Sequence, residues 1–377
     1  MLRRSILGGA VLILVLMTGA VMADLFGKSS LSSEWVERFR DVVKLKTYAA
    51  SHSVHLSSVV ISGWDISGAK LPGAQFENTE WKDVKLHHSV LRDVTFKKSL
   101  MQGVDFQQAT LTDVTFEDVE LRSTSFYKAK LQRVRFIRCK FNGINVDEVV
   151  ESTIEIIDSK VLSSSLSEGQ LVATIKNSTL KDIEFTDLEL PSSLTFENSD
   201  LKEINFSRSI LEKLVLSNVI AKRGGFEKGT VNEIVIKDSE FGFGFIEMKI
   251  KDFQIDNSKI ESPFHRTQID HLVVRNCQPM KQLMLYKTKL HNVEINQCKL
   301  NNFDVSGATI DSLHITGGSI TSGDFAGAKI ESLTFDSLSL IGKNTFENAQ
   351  VKNLVIRNLS KDPTLQLITT GSNVKIE

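Results

Sequence analysis

Residues 102–126 divide into five blocks of five, QGVDF QQATL TDVTF EDVEL RSTSF, and each block ends in Phe or Leu. The spacing extends in both directions, so that every fifth residue between positions 61 and 146 is large and apolar. These residues are Ile61, Ile66, Leu71, Phe76, Trp81, Leu86, Leu91, Phe96, Met101, Phe106, Leu111, Phe116, Leu121, Phe126, Leu131, Phe136, Phe141 and Val146. Neither the helical period of about 3.6 residues nor the strand period of about 2 produces this spacing. The chain is therefore built from a five-residue repeat.

A second set of smaller residues stands two positions before each central residue, as at Ala69, Ala74 and Ala109. The other three positions of the unit are mostly polar or Gly. This unit resembles the pentapeptide-repeat family, in which a small residue is followed by a frequent Asp or Asn, a central Leu or Phe and two polar residues. The stretches 67–71, SGAKL, and 107–111, QQATL, match it well.

The resemblance implies a right-handed, four-sided β-helix with one pentapeptide on each side, so residues twenty apart should stack in columns. The sequence agrees, because like residues recur at that interval. One column is Phe76, Phe96, Phe116 and Phe136, and another is Leu71, Leu91, Leu111 and Leu131.

The repeat continues, with slips of one residue, over 59–358, and single-residue slips indicate bulges in one solenoid rather than separate domains. The predicted fold is all-β, a right-handed quadrilateral β-helix of about fifteen coils. It is irregular between 147 and 282. Residues 24–58 form an N-terminal segment in which the apolar spacing over 33–50 predicts a short capping helix. We expect residues 359–377 to cap the other end.

Residues 1–23 combine an early pair of arginines, an apolar run over 6–17 and a small-residue end at Ala23. This layout is typical of a secretory signal peptide that is cleaved after Ala23. Export to the periplasm or outside the cell follows. The alternative is an uncleaved membrane anchor, since the apolar stretch of about eighteen residues just reaches spanning length.

The chain has 45 basic and 46 acidic side chains and is 41% hydrophobic. This balance argues against a disordered acidic chain and against a nucleic-acid binder, so no nucleic acid is expected as a partner. The family resemblance also implies a DNA-mimicking, gyrase-protecting function. That function needs a strongly acidic rod in the cytoplasm, which the formal net charge of −1 and the signal peptide do not favour.

Phe243 and Phe245 occupy outward positions if Phe241 and Ile246 hold the inward centres. Exposed aromatic side chains on a rigid surface are candidate anchors for a partner. The alternative is a local twist that tucks both rings against Pro263 or a neighbouring loop.

A basic band over 121–146 contains seven Lys and Arg residues and no acidic residue. Arg133, Arg135 and Arg138 are its candidate interaction residues, with an anionic glycan or lipid surface as the partner. The alternative is a solvated face that pairs with the acidic residues of 113–120.

Cys277 and Cys298 fall at the small inward position, one coil apart after a slip near residue 280. Stacked strands bring Cα atoms within about 4.8 Å, which a disulfide tolerates. In-register stacking aims the two sulfurs poorly, however, and this favours two buried thiols over a bond.

Catalytic motifs are missing from the sequence: it has no P-loop, nucleophile elbow or metal-ligand spacing. Asp304 and Asp324 form a stacked pair of the kind that cleaves sugars, but Asp is common at that position of the repeat. We therefore expect no enzyme activity and no cofactor.

The predicted function is an exported interaction or structural scaffold for a protein partner. A carbohydrate-active or glycan-binding β-helix is the alternative, and the oligomeric state is left open.

Overall fold

The computed structural model describes residues 46–47, 49–189, 191–277 and 282–374. The predicted signal peptide and most of the helix predicted over 33–50 lie outside the described residues. The described end of that helix is one helical turn, in which Ala50 N donates a hydrogen bond to the carbonyl of Lys46. The limits of the predicted domains stay predictions.

The chain forms two compact units, Met1–Val172 and Ala173–Glu377. Both are parallel β-solenoids, with about 15 turns in total, which confirms the predicted fold class. The strands of the first unit are β1 His55–Ser57, β2 Val60–Ser62, β3 Lys70–Pro72, β4 Gln75–Glu77, β5 Glu80–Lys82, β6 Val90–Arg92, β7 Thr95–Lys97, β8 Leu100–Gln102, β9 Thr110–Thr112, β10 Thr115–Glu117, β11 Glu120–Arg122, β12 Lys130–Gln132, β13 Val134–Ile137, β14 Lys140–Asn142, β15 Val149–Ile157 and β16 Lys160–Ser165.

Strand β17, Gly169–Lys176, contains the division between the units. The strands of the second unit are β18 Thr179–Glu184, β19 Ser193–Glu197, β20 Asp200–Asn205, β21 Ile210–Ser217, β22 Ile220–Glu227, β23 Thr230–Lys237, β24 Glu240–Ile246, β25 Lys249–Asp256, β26 Lys259–His265, β27 Gln268–Arg275, β28 Gln282–Met284, β29 Lys289–Leu300, β30 Phe303–Asp304, β31 Thr309–Thr321, β32 Gly323–Asp324, β33 Lys329–Asp336, β34 Ser339–Ile341, β35 Lys343–Thr345, β36 Gln350–Arg357, β37 Ser360–Lys361 and β38 Gln366–Ile368.

The register of the first unit is the predicted one, with residues twenty apart paired. Phe76 pairs with Phe96, and Phe96 with Phe116. Their rings stack at centroid distances of 4.9 Å and 5.0 Å, and all three are buried. Burial of these rings supplies the apolar contribution to stability that a thin solenoid needs.

One side of each regular coil differs from the other three, and we call it the turn wall. On this side the carbonyl of the central residue accepts a hydrogen bond from the amide three residues later. Ala109 N donates to Phe106 O in the first unit, and Ala308 N donates to Val305 O in the second. A tight β-turn therefore forms this corner.

The Asp and Asn residues of the repeat serve this turn. Asp105 Oδ1 accepts a hydrogen bond from Gln107 N at 2.9 Å, and Asp304 Oδ1 accepts one from Ser306 N at 2.8 Å. Such side-chain bonds to the backbone two residues on are the usual reason for Asp and Asn at turns. The family's Asp position is accordingly occupied on the turn wall at Asp65, Asp105, Asn145, Asn205, Asp304 and Asp324.

The second unit carries a column of phenylalanines inside its turn wall. Phe206, Phe226, Phe245 and Phe264 stack with nearly parallel rings 4.5–4.9 Å apart. Phe245 lies only nineteen residues after Phe226, so the coil is one residue short here. The missing residue is a corner residue, because the pairing of β22 with β24 shifts between Lys222 and Gly225.

Candidate interaction surface

The basic band of the first unit lies against carboxylates of neighbouring coils. Arg133 Nε is 2.6 Å from Asp113 Oδ1, and Arg135 Nε is 3.0 Å from Glu155 Oε2. The hydrogen bond from Arg133 holds the pKa of the Asp113 carboxyl below its usual value. Both arginines therefore already have an anionic partner within the unit.

Arg138 is paired in the same way. Its Nε is 2.8 Å from Asp118 Oδ1, and its Nη2 donates to Glu117. Hydrogen bonding to Asp118 and Glu117 raises the pKa of Arg138, and the bond from Arg138 lowers the pKa of Asp118. The geometry of the band matches a solvated, ion-paired face, and exposed pairs of this kind contribute little to stability.

Phe243 and Phe245 are fully buried, with 0% exposure, and the outward placement predicted for them is wrong. The corner residue missing between Phe241 and Phe245 turns both rings inward and Ile246 outward. Phe243 fills the space beneath Gly224, where an added Cβ would lie 2.9 Å from the Phe243 ring. These phenylalanines are core residues.

The side chains that face outward in these coils belong to residues next to the buried phenylalanines. Ile246 is 42% exposed and pairs in register with His265. The imidazole of His265 stacks on the Tyr286 ring, with centroids 5.9 Å apart and planes inclined by 4°. Three consecutive coils thus present an aliphatic, an imidazole and a phenol side chain in one outward column.

The parallel outward column of the same wall begins with two glycines and continues with a proline and a methionine. Gly225 pairs with Gly244, and Pro263 pairs with Met284. A Cβ on Gly244 would lie 3.6 Å from the Pro263 ring. We call the combined surface the aromatic patch, and its residues are Gly225, Gly244, Ile246, Pro263, His265, Met284 and Tyr286.

The aromatic patch differs from the charged surface around it. Its outward positions carry no Lys, Arg, Asp or Glu, whereas the next corner column holds Glu247, Arg266 and Lys287. Depletion of charge together with aromatic and Met side chains is the composition of an interface core. Beside it, Gly242 leaves a hollow of about 210 Å³ that Lys222 and Glu261 border. The patch is therefore the candidate interaction surface of the second unit.

The favoured prediction that Cys277 and Cys298 are free thiols is wrong. Cys277 and Cys298 are joined by a disulfide with Cα atoms 4.8 Å apart. The pairing of Arg275 with Asn296 fixes an offset of twenty-one residues, which brings the two cysteines into register. Cys139 is a buried free thiol, and burial raises its pKa to about 12. It therefore stays protonated and unreactive at neutral pH.

The paired aspartates serve the backbone. Asp324 Oδ1 accepts a hydrogen bond from Ala326 N at 2.9 Å, as Asp304 Oδ1 does from Ser306 N. Among the residues that the structure describes, no three His, Cys, Asp or Glu side chains are grouped to hold a metal ion. In the same described part of the chain, no helix combines the length and apolar character that crossing a membrane requires.

Coils of five-residue units with parallel strands on each wall define a class of β-solenoid. Residues 69–146 match the family model described as a pentapeptide repeat region, which supports the resemblance to the pentapeptide-repeat family. No curated protein matches the chain.

Two solved structures are similar to it at low identity. One is HetL, a pentapeptide repeat protein involved in heterocyst differentiation regulation from the cyanobacterium Nostoc sp. strain PCC 7120. It is 14% identical, with 56% of this chain and 94% of HetL covered and a TM-score of 0.28. The other is a trypsin-treated form of QnrB1, a plasmid-mediated fluoroquinolone resistance protein. It is 15% identical, with 58% and 92% covered and a TM-score of 0.36. Nothing about function follows from likenesses of this size.

Counting in fives from Phe241 missed Ile246, His265 and Tyr286. A signal for them is present in the sequence, because Phe226, Phe245 and Phe264 recur at intervals of nineteen. Since like stacks on like in this fold, that recurrence assigns Phe245 to the interior and its neighbour Ile246 to the surface.

Proposed function

We propose that this protein is an exported, non-catalytic β-helical scaffold whose aromatic patch binds a protein partner. The carrying observation is the patch itself, in which Ile246, His265 and Tyr286 stand beside bare glycine backbone on a wall of stacked phenylalanine coils. A rigid surface loses little conformational entropy on binding, so its apolar area contributes more fully to affinity. The two glycines let a partner approach the backbone closely.

The non-catalytic assignment is supported by the roles of the candidate acids. Asp304 and Asp324 are engaged in turns, and the pentapeptide-repeat match over residues 69–146 is in keeping with an interaction role. The carbohydrate-binding alternative has less support, because Arg133, Arg135 and Arg138 already pair with carboxylates of their own unit. Gyrase protection has no support from the nearly neutral charge balance.

Two exposed isoleucines provide a matched test of the patch. Ile246 is 42% exposed, and Ile210, outside the patch, is 43% exposed. We expect Ile246→Lys to release the partner and Ile210→Lys to retain it, because only the first places a charge in the patch. The measurement is the mass of the native complex that a tagged protein forms in the cells that express it. Equal complexes from both variants would place the binding surface elsewhere.

Export is the second element of the proposal and has its own test. We expect the intact mass of the protein from the periplasmic or secreted fraction to correspond to a chain that starts at Asp24. Full-length protein in the membrane fraction would instead indicate an anchored scaffold. Full-length soluble protein in the cytoplasm would contradict export and reopen the gyrase hypothesis.

A further inference from the structure

One five-residue motif occurs twice in the chain. Residues 127–131 read YKAKL and residues 286–290 read YKTKL, and both begin directly after the central residue of the turn wall. In each motif the first lysine lies over the ring of the tyrosine, with Nζ 4.9 Å from the centroid for Lys128 and 4.7 Å for Lys287. The two corners are therefore built alike.

The first motif has acidic partners inside its own unit. The hydroxyl of Tyr127 donates a hydrogen bond to Glu148, and Lys128 Nζ is 3.1 Å from the same carboxylate. Lys130 Nζ is 2.6 Å from Glu151 Oε2. The hydrogen bond from Tyr127 is the main reason why the pKa of Glu148 lies below its usual value. This corner is a complete binding site for one carboxylate, which Glu148 fills.

The second motif lacks that carboxylate. Gly307 stands one coil after Lys287, at the corner position that Glu148 has relative to Lys128, and it has the same positive φ, 63° against 52°. The strand paired with Lys289 presents the uncharged Thr309. Within the described residues, nothing accepts a hydrogen bond from the Tyr286 hydroxyl, and no acid pairs with Lys287 or Lys289.

The surroundings of the second motif add positive charge. Arg266 occupies the same corner one coil earlier, and its nearest acid, Glu247, is 3.7 Å away. The phenol of Tyr286 and the ammonium group of Lys287 therefore stand at a corner where a carboxylate is missing, with the positive charges of Arg266 and Lys289 at neighbouring positions. Charge-assisted hydrogen bonds from such groups are stronger than neutral ones.

We propose that the Tyr286 corner, in which Tyr286 and Lys287 correspond to Tyr127 and Lys128 and to which Arg266 and Lys289 add positive charge nearby, binds an acidic side chain of the protein partner in the place that Glu148 takes at the first motif. This inference rests on the proposed function, since it names the chemistry of the partner that contacts the aromatic patch. A peptide is the source that fits, because Ile246, Met284 and Pro263 lie next to the corner. Those side chains match apolar neighbours of the acidic residue, which a uronic-acid polymer does not have.

The probe for this site is a short fluorescein-labelled peptide of Glu-Leu-Gly repeats, with Gln-Leu-Gly repeats as its uncharged match. Binding is measured by fluorescence anisotropy at low and high salt. We expect the Glu peptide to bind in a salt-sensitive manner and the Gln peptide to bind at least about tenfold more weakly, as the loss of one charge-assisted hydrogen bond implies. Equal binding of the two peptides contradicts the proposal.

The decisive variant transplants the missing acid. Gly307→Glu supplies the corner with its own carboxylate, and we expect it to weaken the Glu peptide by about tenfold or more. Glu148 shows that this turn accepts Glu, and an added Cβ at Gly307 meets only the flexible Lys287 chain at 3.3 Å. Gly307→Asn is the matched control, because Asn tolerates the positive φ without adding charge, and it should bind as the parent protein does.

The reciprocal variant is Glu148→Gly, which empties the first corner and should add a second site for the Glu peptide.

Unchanged affinity in Gly307→Glu overturns the proposal, as does polygalacturonate competing as strongly as the Glu peptide. Failure here is separable from failure of the proposed function. If Ile246→Lys releases the cellular partner while Gly307→Glu retains it, the aromatic patch stands and the carboxylate site does not.

Discussion

We expect Phe245→Ala to lower the free energy of unfolding by about 3–5 kcal/mol, the range for a buried Phe that leaves a cavity. Phe245 is fully buried, and its ring stacks at 4.9 Å on Phe226 and at 4.6 Å on Phe264. The structure can relax little, because both neighbours are held by their own coils. Urea unfolding measures the effect, and hydrogen exchange shows whether the loss centres on these coils.

The adjacent residue is the control. Ile246→Ala should change the free energy of unfolding by less than about 1 kcal/mol, since the side chain is 42% exposed. The pair tests the register directly, because a shift of one residue exchanges inside and outside. A larger loss for Ile246 than for Phe245 would return Ile246 to the interior and remove the aromatic patch.

Breaking the disulfide has the second largest expected effect. The bond between Cys277 and Cys298 closes a loop with a sequence separation of 21, for which the loop-closure estimate is about 3 kcal/mol. It also joins β29 to the segment that directly follows β27. We expect the double variant Cys277→Ala, Cys298→Ala to unfold at a lower urea concentration than the parent protein.

Cys139 allows the control for this experiment. In a Cys139→Ala background, a reducing agent can act on the disulfide alone, and it should reproduce the loss seen in the double variant. Counting thiols in the denatured, unreduced parent protein should give the single free cysteine. A count that includes Cys277 and Cys298 would show that the bond does not form.

Much of the fold could be predicted from the spacing of the apolar residues. A four-sided coil requires one inward side chain on each wall, and the columns of Phe76 and of Leu71 follow from a period of twenty. The slip at Gly242 could not be obtained by counting in fives. It depends on packing, because Gly224 leaves the interior space that the Phe243 ring fills in the coil that lacks a corner residue.

The candidate surface was harder to predict because it depends on the same slip of one residue. Once Phe245 is assigned to the interior, Ile246, His265 and Tyr286 follow as the outward column. The stacking of His265 on Tyr286 requires the two coils to be in register. No local sequence pattern predicts that register. The disulfide likewise depends on the offset of twenty-one residues across 278–281, since the direction of each Cβ decides whether the sulfurs meet.

The two YK-x-KL motifs show what the register adds to a sequence pattern. The motifs themselves are visible in the sequence. Their difference appears only when residues one coil later are compared, because Glu148 and Gly307 are far from the tyrosines in sequence and adjacent to them in the fold.

Site-specific photocrosslinking in living cells tests the central claim most directly. A photoreactive amino acid is placed at Ile246 in one strain and at Ile210 in another, and the adducts are identified by mass spectrometry. The account predicts one defined protein adduct from position 246 and none of that mass from position 210. Absence of an adduct at 246, or the same adduct from both positions, would contradict a partner-binding surface at the aromatic patch.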